Sequence, residues 1–253
     1  NNPTIVNSNY FTDITEGLGI RQFYKLGISQ TNPVIMSGGS QDNGTSVYRS
    51  NGIWYDWLGA DGMETFIDKN NSNILYGTSQ YGGLYKSINT GTSYIGINSP
   101  EDKSGDWVPP FEQDPLLANT IYTGYDKVYK SSNGGSTWVS ISQGFGENLN
   151  HLKIAPSSNL VMYASHGNTL YKTINGGTTN WTQLSGFSGS INSIAIHPTN
   201  PNKLAIATTS DQKVYVSNNG GITWISYLYD LPDFSAQALV WENNGRDGLY
   251  LGM

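Results

Sequence analysis

The sequence has no cysteine, few charged residues and no long apolar run. Without cysteine no disulfide can hold the fold together. Lysine and arginine together number 13 in 253 residues, and the formal net charge is −6, so neither nucleic acid nor an anionic membrane is expected as a partner. No run of about eighteen apolar residues could form a membrane-spanning helix. No window repeats its apolar residues with the period of an amphipathic helix either.

Glycine (30 residues), tyrosine (17) and tryptophan (7) are abundant instead. This composition favours short strands that are joined by tight turns and packed through aromatic side chains. The length suits one large domain or two small ones, and we expect a single domain over residues 1–253. A cysteine-free surface rich in Asn, Ser and Thr fits a secreted or cell-surface bacterial protein, and the start NNPTIVNS is expected to be a mature or trimmed terminus.

One short stretch occurs four times. Its copies are YKSINTGTSY (85–94), YKSSNGGSTW (129–138), YKTINGGTTNW (171–181) and YVSNNGGITW (215–224). Each copy is predicted to end one strand, form a tight turn and begin the next strand, because Asn and Gly accept the positive φ angles of such turns. The Asn, and the Ser or Thr two places before it, are expected to bond backbone N–H groups across the turn. The closing aromatic is expected to be buried under a neighbouring hairpin.

The spacing of these copies predicts the architecture. The tyrosines that open them, Tyr85, Tyr129, Tyr171 and Tyr215, are 44, 42 and 44 residues apart, and a degenerate copy begins at Tyr48. A period near 40 with two hairpins per unit is the size of a four-stranded propeller blade. The sequence therefore predicts an all-β propeller with five complete blades, near 20–58, 62–97, 107–142, 149–185 and 191–228.

A sixth unit is expected to be shared by the two ends of the chain. The C-terminal stretch AQALVWENNGRDGLYLGM supplies two predicted strands, 236–242 and 248–252, and residues 9–15 have the pattern of a fourth strand. Propellers close by pairing strands from the two termini, which hides exposed sheet edges. We expect strand 9–15 to lie in the same sheet as the two C-terminal strands. The alternative is that the chain is part of a larger ring.

The repeated pattern Ser/Thr-x-Asn-x-Gly-x-x-Trp/Tyr resembles the Asp box, or BNR repeat, with Asn in the Asp position. Asp boxes occur in sialidases, sortilin-type receptors and family-74 xyloglucanases, where they are fold elements away from the active site. The segments SGGSQDNGT (37–45), LGADGMETFID (58–68) and SQYGGLYKS (79–87) also resemble secreted bacterial BNR proteins, often of Bacteroidetes. The resemblance implies the propeller fold and leaves the chemistry open.

Two carboxylates are candidates for catalysis. The resemblance implies one catalytic Asp just before a strand, and Asp61 is the nearest match by position; Asp42, in an adjacent loop, is a candidate second carboxylate. Such a pair would suit a glycoside hydrolase. However, the glycine-rich segment that carries the other catalytic Asp of xyloglucanases is not recognisable here. The competing interpretation, which we favour, is that both residues belong to turns.

No sialidase, metal or cofactor site is predicted. A sialidase uses three arginines to grip a carboxylate, and this chain has only Arg21, Arg49 and Arg246, without the surrounding motif. The three histidines, His151, His166 and His197, lie in different units without metal-ligand spacing. Every Gly pair of the repeats precedes a strand, so no phosphate-binding loop is expected.

Polar and aromatic residues of the face opposite the repeated turns are the candidate binding residues. That face is built by the second-to-third-strand loops and the connections between blades, and we call it the loop face. Its candidates are Gln41, Asp42, Asp61, Glu64, Gln80, Tyr81, Trp107 and Tyr125, with Phe145 nearby. Aromatic planes beside amides and carboxylates suit sugar rings, and the competing interpretation is that each of these aromatic residues packs in the core between blades. We expect Asp42, Asp61, Glu64, Gln80 and Tyr81 to gather in one cleft between the first two blades.

Two functions are therefore carried forward. The preferred one is a non-catalytic propeller module of a secreted bacterial protein, which binds a glycan or another protein through its loop face. The alternative is a glycoside hydrolase similar to family-74 xyloglucanases that acts on a β-glucan. Carboxylates that converge in an open cleft would favour the hydrolase, whereas carboxylates held in turn hydrogen bonds would favour the module.

Overall fold

The computed structural model describes residues 21–31, 33–101, 104–228 and 230–253. These residues form 22 strands in six antiparallel sheets, and a single turn of 3-10 helix at Gln80–Gly82. Five sheets have four strands and the last has two, and within each sheet neighbouring strands are consecutive in the chain. The all-β propeller predicted from the repeats is confirmed.

The sheets follow the predicted blades. Blade 1 contains β1 (Phe23–Ile28), β2 (Met36–Ser40), β3 (Gly44–Tyr48) and β4 (Trp54–Leu58). Blade 2 contains β5 (Gly62–Ile67), β6 (Leu75–Ser79), β7 (Gly83–Ser87) and β8 (Ile95–Ile97). Blade 3 contains β9 (Phe111–Gln113), β10 (Ile121–Gly124), β11 (Val128–Ser131) and β12 (Val139–Ser140). Blade 4 contains β13 (His151–Ala155), β14 (Ser158–His166), β15 (Thr169–Thr173) and β16 (Thr182–Leu184).

Blade 5 contains β17 (Ile191–Ile196), β18 (Leu204–Thr208), β19 (Val214–Ser217) and β20 (Ile225–Tyr227). The last sheet, which we call sheet 6, contains β21 (Ala238–Trp241) and β22 (Leu249–Gly252). These two strands lie where the sequence placed the first two strands of a sixth unit. The predicted strand 9–15, and its pairing with sheet 6, lie outside the described residues.

The hydrophobic core lies between successive blades. In β13 the side chains of Leu152 and Ile154 are buried and alternate with the less buried His151 and Lys153, as expected for a strand with two different faces. One core cluster joins Tyr163 and Leu170 of blade 4 to several isoleucines of blade 5, and similar clusters lie at other blade interfaces. Each blade therefore gains its burial from its neighbours.

The four Asn-containing turns have the predicted hydrogen bonds. In blade 3 the backbone N–H of Gly135 donates to Ser131 Oγ at 2.8 Å, and that of Thr137 donates to Asn133 Oδ1 at 2.9 Å. The Asn133 amide in turn donates to Thr137 Oγ1 at 2.9 Å. The corresponding Ser or Thr and Asn residues of blades 2, 4 and 5 make equivalent bonds. Gly135 has a φ of 97°, which explains why glycine occupies this position.

The aromatic residue that closes each turn contacts the preceding blade. The indole N–H of Trp138 donates to Asn98 O at 2.8 Å, that of Trp181 to Ile141 O at 2.9 Å, and that of Trp224 to Ser185 O at 3.0 Å. Only Trp181 is largely buried, whereas Trp138 and Trp224 are half-buried. The expectation of burial is therefore correct for one of the three. Trp181 is part of the core cluster between blades 3 and 4, whereas Trp138 and Trp224 pack against the border of their clusters and keep part of the ring open to solvent.

Replacing the buried tryptophan should cost more than replacing a half-buried one. We expect Trp181→Ala to lower the free energy of unfolding by about 3–5 kcal/mol, as for other buried aromatic truncations. Trp224→Ala, at the same position of the next blade, serves as the matched comparison and should cost less. Chemical denaturation of both variants measures the two losses. Equal losses would mean that ring burial does not set the contribution of this position.

A buried carboxylate connects blades 3 and 4. Asp114 accepts hydrogen bonds from Tyr122 Oη at 2.7 Å, from the backbone N–H groups of Leu116 and Leu117 at 2.8 Å, and from Asn159 Nδ2 of the next blade at 3.0 Å. Burial alone would raise the pKa of Asp114, but these donors together hold its pKa below the usual value. The ionised form is therefore the one that the fold stabilises.

This arrangement predicts a loss of stability in acid. Because the pKa of Asp114 is lower in the folded than in the unfolded chain, its ionised carboxylate stabilises the fold above the unfolded pKa of about 3.9. This stabilisation is lost as the pH falls through the folded pKa. We expect Asp114→Asn to be less stable than the parent at pH 7 and to show a shallower loss of stability below about pH 4. Melting temperatures from acid to neutral pH test this, and parallel curves for the two proteins would contradict it.

Candidate functional site

The two candidate catalytic carboxylates meet as partners in a turn. Asp61 precedes β5, and Asp42 lies in the loop between β2 and β3, where it has a φ of 57°. Asp61 Oδ1 accepts the backbone N–H of Asp42 at 2.7 Å, and the backbone N–H of Gly44 donates to Ala60 O at 2.8 Å. The structure thus brings the two residues together, but it uses the carboxylate of Asp61 to hold the neighbouring loop.

Arg21 fixes the same loop from the other side. Its guanidinium donates to Asn43 O at 3.0 Å and to Asp56 Oδ1 at 3.0 Å. The carbonyl oxygen of Gln41 accepts a bond from the Asn43 side chain. The exposed Asp42 borders an open depression of about 290 Å³ next to Asp56. The loop is well fixed, and it borders a shallow surface depression instead of an enclosed cleft.

Glu64 belongs to a different group of charges. It lies on β5, the first strand of blade 2, and its Oε2 is 3.9 Å from Lys25 Nζ of β1. Glu112 of β9 and Lys153 of β13, the first strands of the next two blades, form an ion pair. Burial raises the pKa of Glu64, an effect that Lys25 and Lys153 partly offset. Burial, followed by the charge of Lys25, lowers the pKa of His151 to about 4. We call Lys25, Glu64, Glu112 and Lys153 the inner-strand cluster.

Tyr81 and Trp107 form an exposed aromatic pair. Tyr81 occupies the middle of the 3-10 turn with a φ of 62°, and 52% of its surface is exposed. Its ring centroid lies 5.1 Å from that of Trp107 in an edge-to-face arrangement, and Trp107 is 38% exposed. The indole N–H of Trp107 donates to Tyr24 Oη of β1 at 3.2 Å. We call Tyr24, Tyr81 and Trp107 the aromatic patch.

Local hydrogen bonds hold this patch in place. The backbone N–H of Gly105 donates to Tyr81 O at 2.8 Å, which fixes the connection that carries Trp107 against the turn that carries Tyr81. Next to Tyr81, the side-chain Oε1 of Gln80 is buried and has no hydrogen-bond partner among the described residues. Tyr24 is absent from the residues predicted for the site, because it lies within a strand and the sequence pattern points only to loops.

Tyr125 and Phe145 were expected at the binding surface, but they lie in the core. Tyr125 is fully buried, and its hydroxyl donates to Gly82 O at 2.8 Å, so it supports the turn of Tyr81 from beneath. Phe145 is buried with its ring centroid 4.3 Å from that of Tyr171. Both expectations are wrong for the same reason: connections between blades fold inward and cover residues that their sequence position would have left exposed.

The predicted single cleft is therefore divided in the structure. Asp42 and Asp61 hold the loop between β2 and β3, Glu64 belongs to the inner-strand cluster, and Tyr81 faces Trp107 instead of Asp42. Within the described part of the chain, no hydrogen bond or ion pair links Glu64 to either aspartate. Of the aromatic residues predicted for the site, Tyr81 and Trp107 are exposed, whereas Tyr125 and Phe145 are buried.

The described residues contain no cluster of three or more His, Asp or Glu side chains that could hold a metal ion. In the part of the chain that the structure covers, no helix is long and apolar enough to cross a membrane. Asp68, which directly follows β5, accepts the backbone N–H groups of Asn70 and Asn71 and the side-chain amide of Gln113.

No family model matches the sequence, and no curated protein matches it. Solved structures do resemble it. A GH74 enzyme of Niastella koreensis superposes with a TM-score of 0.69 at 18% identity, over 87% of this chain and 42% of that one. An ancestral GH74 enzyme superposes with a TM-score of 0.70 at 19% identity, over 88% of this chain and 33% of that one. YCF48 bound to a D1 peptide superposes with a TM-score of 0.56 at 12% identity, over 76% of this chain and 60% of that one.

The chain is a β-propeller. It spans less than half the length of the two GH74 chains that it matches. At such low identities the likeness is one of fold, and the same fold carries both glycoside hydrolases and a protein whose structure holds a peptide. The function has to be argued from the side chains of this chain.

The role of Asp61 in the loop can be tested directly. Asp61→Ala leaves the backbone N–H of Asp42 without its carboxylate acceptor, so we expect a loss of about 1.5–3 kcal/mol in unfolding free energy and faster hydrogen exchange of the Asp42 amide. Asp42→Asn is the matched control, since asparagine accepts positive φ, and its stability should change by less than about 0.5 kcal/mol. If Asp61→Ala were as stable as the control, the carboxylate would not hold the loop.

Proposed function

We propose that this propeller is a binding module without hydrolytic activity, part of a secreted bacterial protein, and that its loop face binds a glycan. The aromatic patch carries the proposal. Tyr81 and Trp107 expose 52% and 38% of their surfaces, and they are held in a fixed mutual orientation by Tyr24 and by the backbone of Gly105. Rigid exposed aromatic rings stack on the apolar C–H faces of sugars at little entropic cost.

A polar group beside the patch suits a ligand that is rich in hydroxyls. The hydroxyl of Tyr24 can accept a ligand hydrogen bond beside the one from Trp107. Stacking rings next to this acceptor would place a sugar with its face on the rings and a hydroxyl toward Tyr24.

The carboxylate geometry favours a module over a hydrolase. A glycoside hydrolase needs two carboxylates about 5–10 Å apart on either side of the scissile bond. Asp61 is engaged by the loop backbone, and the half-buried Glu64 pairs with Lys25, so neither is free to face a substrate with Asp42. The likeness to GH74 enzymes, among them a xyloglucanase from Xanthomonas campestris, keeps the hydrolase as the alternative.

Two further assignments belong to this proposal. The four Asn-containing turns act as Asp boxes of the BNR type, because their Ser or Thr, Asn and closing aromatic all serve the fold. They lie on the rim opposite the loop face and take no part in binding. The scarcity of charge and the absence of cysteine support secretion or exposure at a bacterial cell surface.

Removing a ring of the patch should weaken glycan binding and leave the fold intact. A glycan array followed by titration calorimetry should show at least tenfold weaker binding for Trp107→Ala and Tyr81→Ala, with melting temperatures close to that of the parent. Trp54→Ala is the matched control, since Trp54 is 40% exposed and begins β4 on the opposite rim. Its affinity for the glycan should be unchanged.

Parallel assays separate the competing functions. Release of reducing ends from β-glucans by the parent, lost in Asp61→Asn or Asp42→Asn while binding persists, would establish the hydrolase instead. Binding of peptides but of no glycan, with the same dependence on Trp107, would make the ligand a protein. If Trp107→Ala and Tyr81→Ala bind as the parent does, the aromatic patch is not the site.

A further inference from the structure

Asn-Gly pairs recur in the loops of blades 1, 3, 4 and 5. They lie at positions 43–44, 51–52, 133–134, 175–176 and 219–220. An asparagine that is followed by glycine is prone to a spontaneous reaction, in which the backbone nitrogen of the glycine attacks the side-chain amide carbon of the asparagine. Glycine favours this attack because it has no Cβ to obstruct the approach. Whether the reaction takes place in a folded chain depends on whether that nitrogen is free.

In four of these five pairs the glycine N–H donates to a backbone carbonyl. A nitrogen held in this way has to break its hydrogen bond by local opening before it can lose its proton and attack. The donors and acceptors are Gly44 N and Ala60 O at 2.8 Å, Gly134 N and Asn119 O at 2.8 Å, Gly176 N and Leu160 O at 2.9 Å, and Gly220 N and Asn202 O at 2.7 Å.

Gly52 is the exception. Among the described residues its backbone N–H has no hydrogen-bond acceptor. Asn51 and Gly52 are both exposed, and no atom lies within 4 Å of the position that a Cβ of Gly52 would occupy. The nitrogen of Gly52 is therefore open to water and to the base that has to remove its proton.

A shorter turn explains this free N–H. The segment 48–54 of blade 1 is three residues shorter than the corresponding segment 129–138 of blade 3. In blade 3 the carbonyl of Asn119, two residues before β10, accepts the glycine N–H of the turn. In blade 1 the corresponding carbonyl is that of Val34, two residues before β2, and it accepts the hydroxyl of Ser50 instead.

The side chain of Asn51 is held in a position that favours the attack. Its Oδ1 accepts the backbone N–H of Ile53 at 3.1 Å, and such a bond folds the side chain back over the intervening peptide. A donor on Oδ1 also stabilises the negative charge that develops there when the amide carbon is attacked. The Nδ2 group, which would leave, donates to Tyr55 Oη at 2.9 Å.

We propose that Asn51 is a site of covalent modification, where the folded chain converts asparagine into aspartate and isoaspartate. The nitrogen of Gly52 loses its proton to water and bonds to Cγ of Asn51. The bond from Cγ to Nδ2 breaks, ammonia leaves with a proton from the solvent, and a succinimide ring remains. Water then opens this ring at either carbonyl. The net reaction consumes one water and releases one ammonia, so it needs no cofactor and no second protein.

The modification would act on the junction between blades 1 and 2. Arg49 Nε donates to Thr90 O in the turn of blade 2 at 3.0 Å, and its guanidinium carbon lies 4.3 Å from the ring centroid of Tyr55. A carboxylate at position 51 would attract this guanidinium, and the isoaspartate form adds a backbone atom to the turn. Both changes disturb the contact with Thr90. The site is on the rim of the repeated turns, so it does not depend on glycan binding by the aromatic patch.

Incubation in heavy-oxygen water tests the proposal. The 253-residue chain is kept folded in mildly alkaline buffer, and each ring opening then places a heavy oxygen on the modified residue. Tandem mass spectrometry of tryptic peptides assigns the label, and it distinguishes Asn51 from Asn244 of the Asn-Gly pair in sheet 6. We expect Asn51 to be modified at least about tenfold faster than Asn133, Asn175 or Asn219, because their glycine N–H groups are held by the fold.

The unfolded chain and a variant are the matched controls. In guanidinium chloride, where these hydrogen bonds are absent, Asn51 and Asn133 should be modified at similar rates. Asn51→Gln should take up no label at this position, because its longer side chain closes the corresponding ring far more slowly. On storage the melting temperature of the parent should fall, whereas that of Asn51→Gln should fall less.

Three results would overturn the proposal. The first is a folded chain that takes up no label at Asn51 while the unfolded chain does. The second is equal modification of Asn51 and Asn133 in the folded chain. The third is hydrogen exchange of the Gly52 amide as slow as that of Gly134, which would remove its physical basis. An equal fall of melting temperature in the parent and in Asn51→Gln would refute the effect on the junction of blades 1 and 2.

Discussion

In blades 3, 4 and 5 the tryptophan that closes the Asn-containing turn holds the blade to the one before it. The indole N–H of Trp138, Trp181 or Trp224 reaches a backbone carbonyl of the preceding blade, while the Ser and Asn of the same turn fix the position of that indole. A reverse contact also exists, since Lys172 Nζ donates to Gly220 O in the turn of the following blade. Local turn geometry and blade-to-blade packing therefore depend on one short sequence pattern.

This arrangement separates structural from functional residues. The repeated turns lie on one rim and use their polar side chains internally, so the opposite rim is free to vary. Asp42, Asp61, Tyr81 and Trp107 all lie on that side, and no two blades carry the same residues there. The repeated turns on one rim determine the fold, whereas the residues of each individual loop determine the chemistry of the other rim.

How much the sequence could predict follows from this separation. The regular spacing of Tyr85, Tyr129, Tyr171 and Tyr215 was sufficient to predict five blades and the strand positions of sheet 6, because strand periodicity and turn chemistry are local properties. The candidate site was predicted less well. Whether a loop residue is exposed depends on how the connections between blades fold, and the sequence around Tyr125 and Phe145 carries no signal that a neighbouring segment will cover them.

Asp61 illustrates the same limit at the level of one side chain. Its position before a strand identified it as a candidate, and both a catalytic role and a turn role were consistent with that position. Its bond to the backbone N–H of Asp42 depends on two loops meeting from neighbouring blades. Tyr24 shows the converse, since a strand residue becomes part of the exposed patch only through its contact with Trp107.

The tryptophans of the repeated turns also give the molecule built-in optical probes. Each of Trp138, Trp181 and Trp224 contacts a single blade interface, so the emission of each indole changes when that interface opens. In an architecture where each unit touches only its neighbours, opening can begin at one junction and spread along the array. The chain has seven tryptophans, so comparing the emission of the parent with that of variants that each lack one of the three would report by difference the order in which the blades separate, without any attached label.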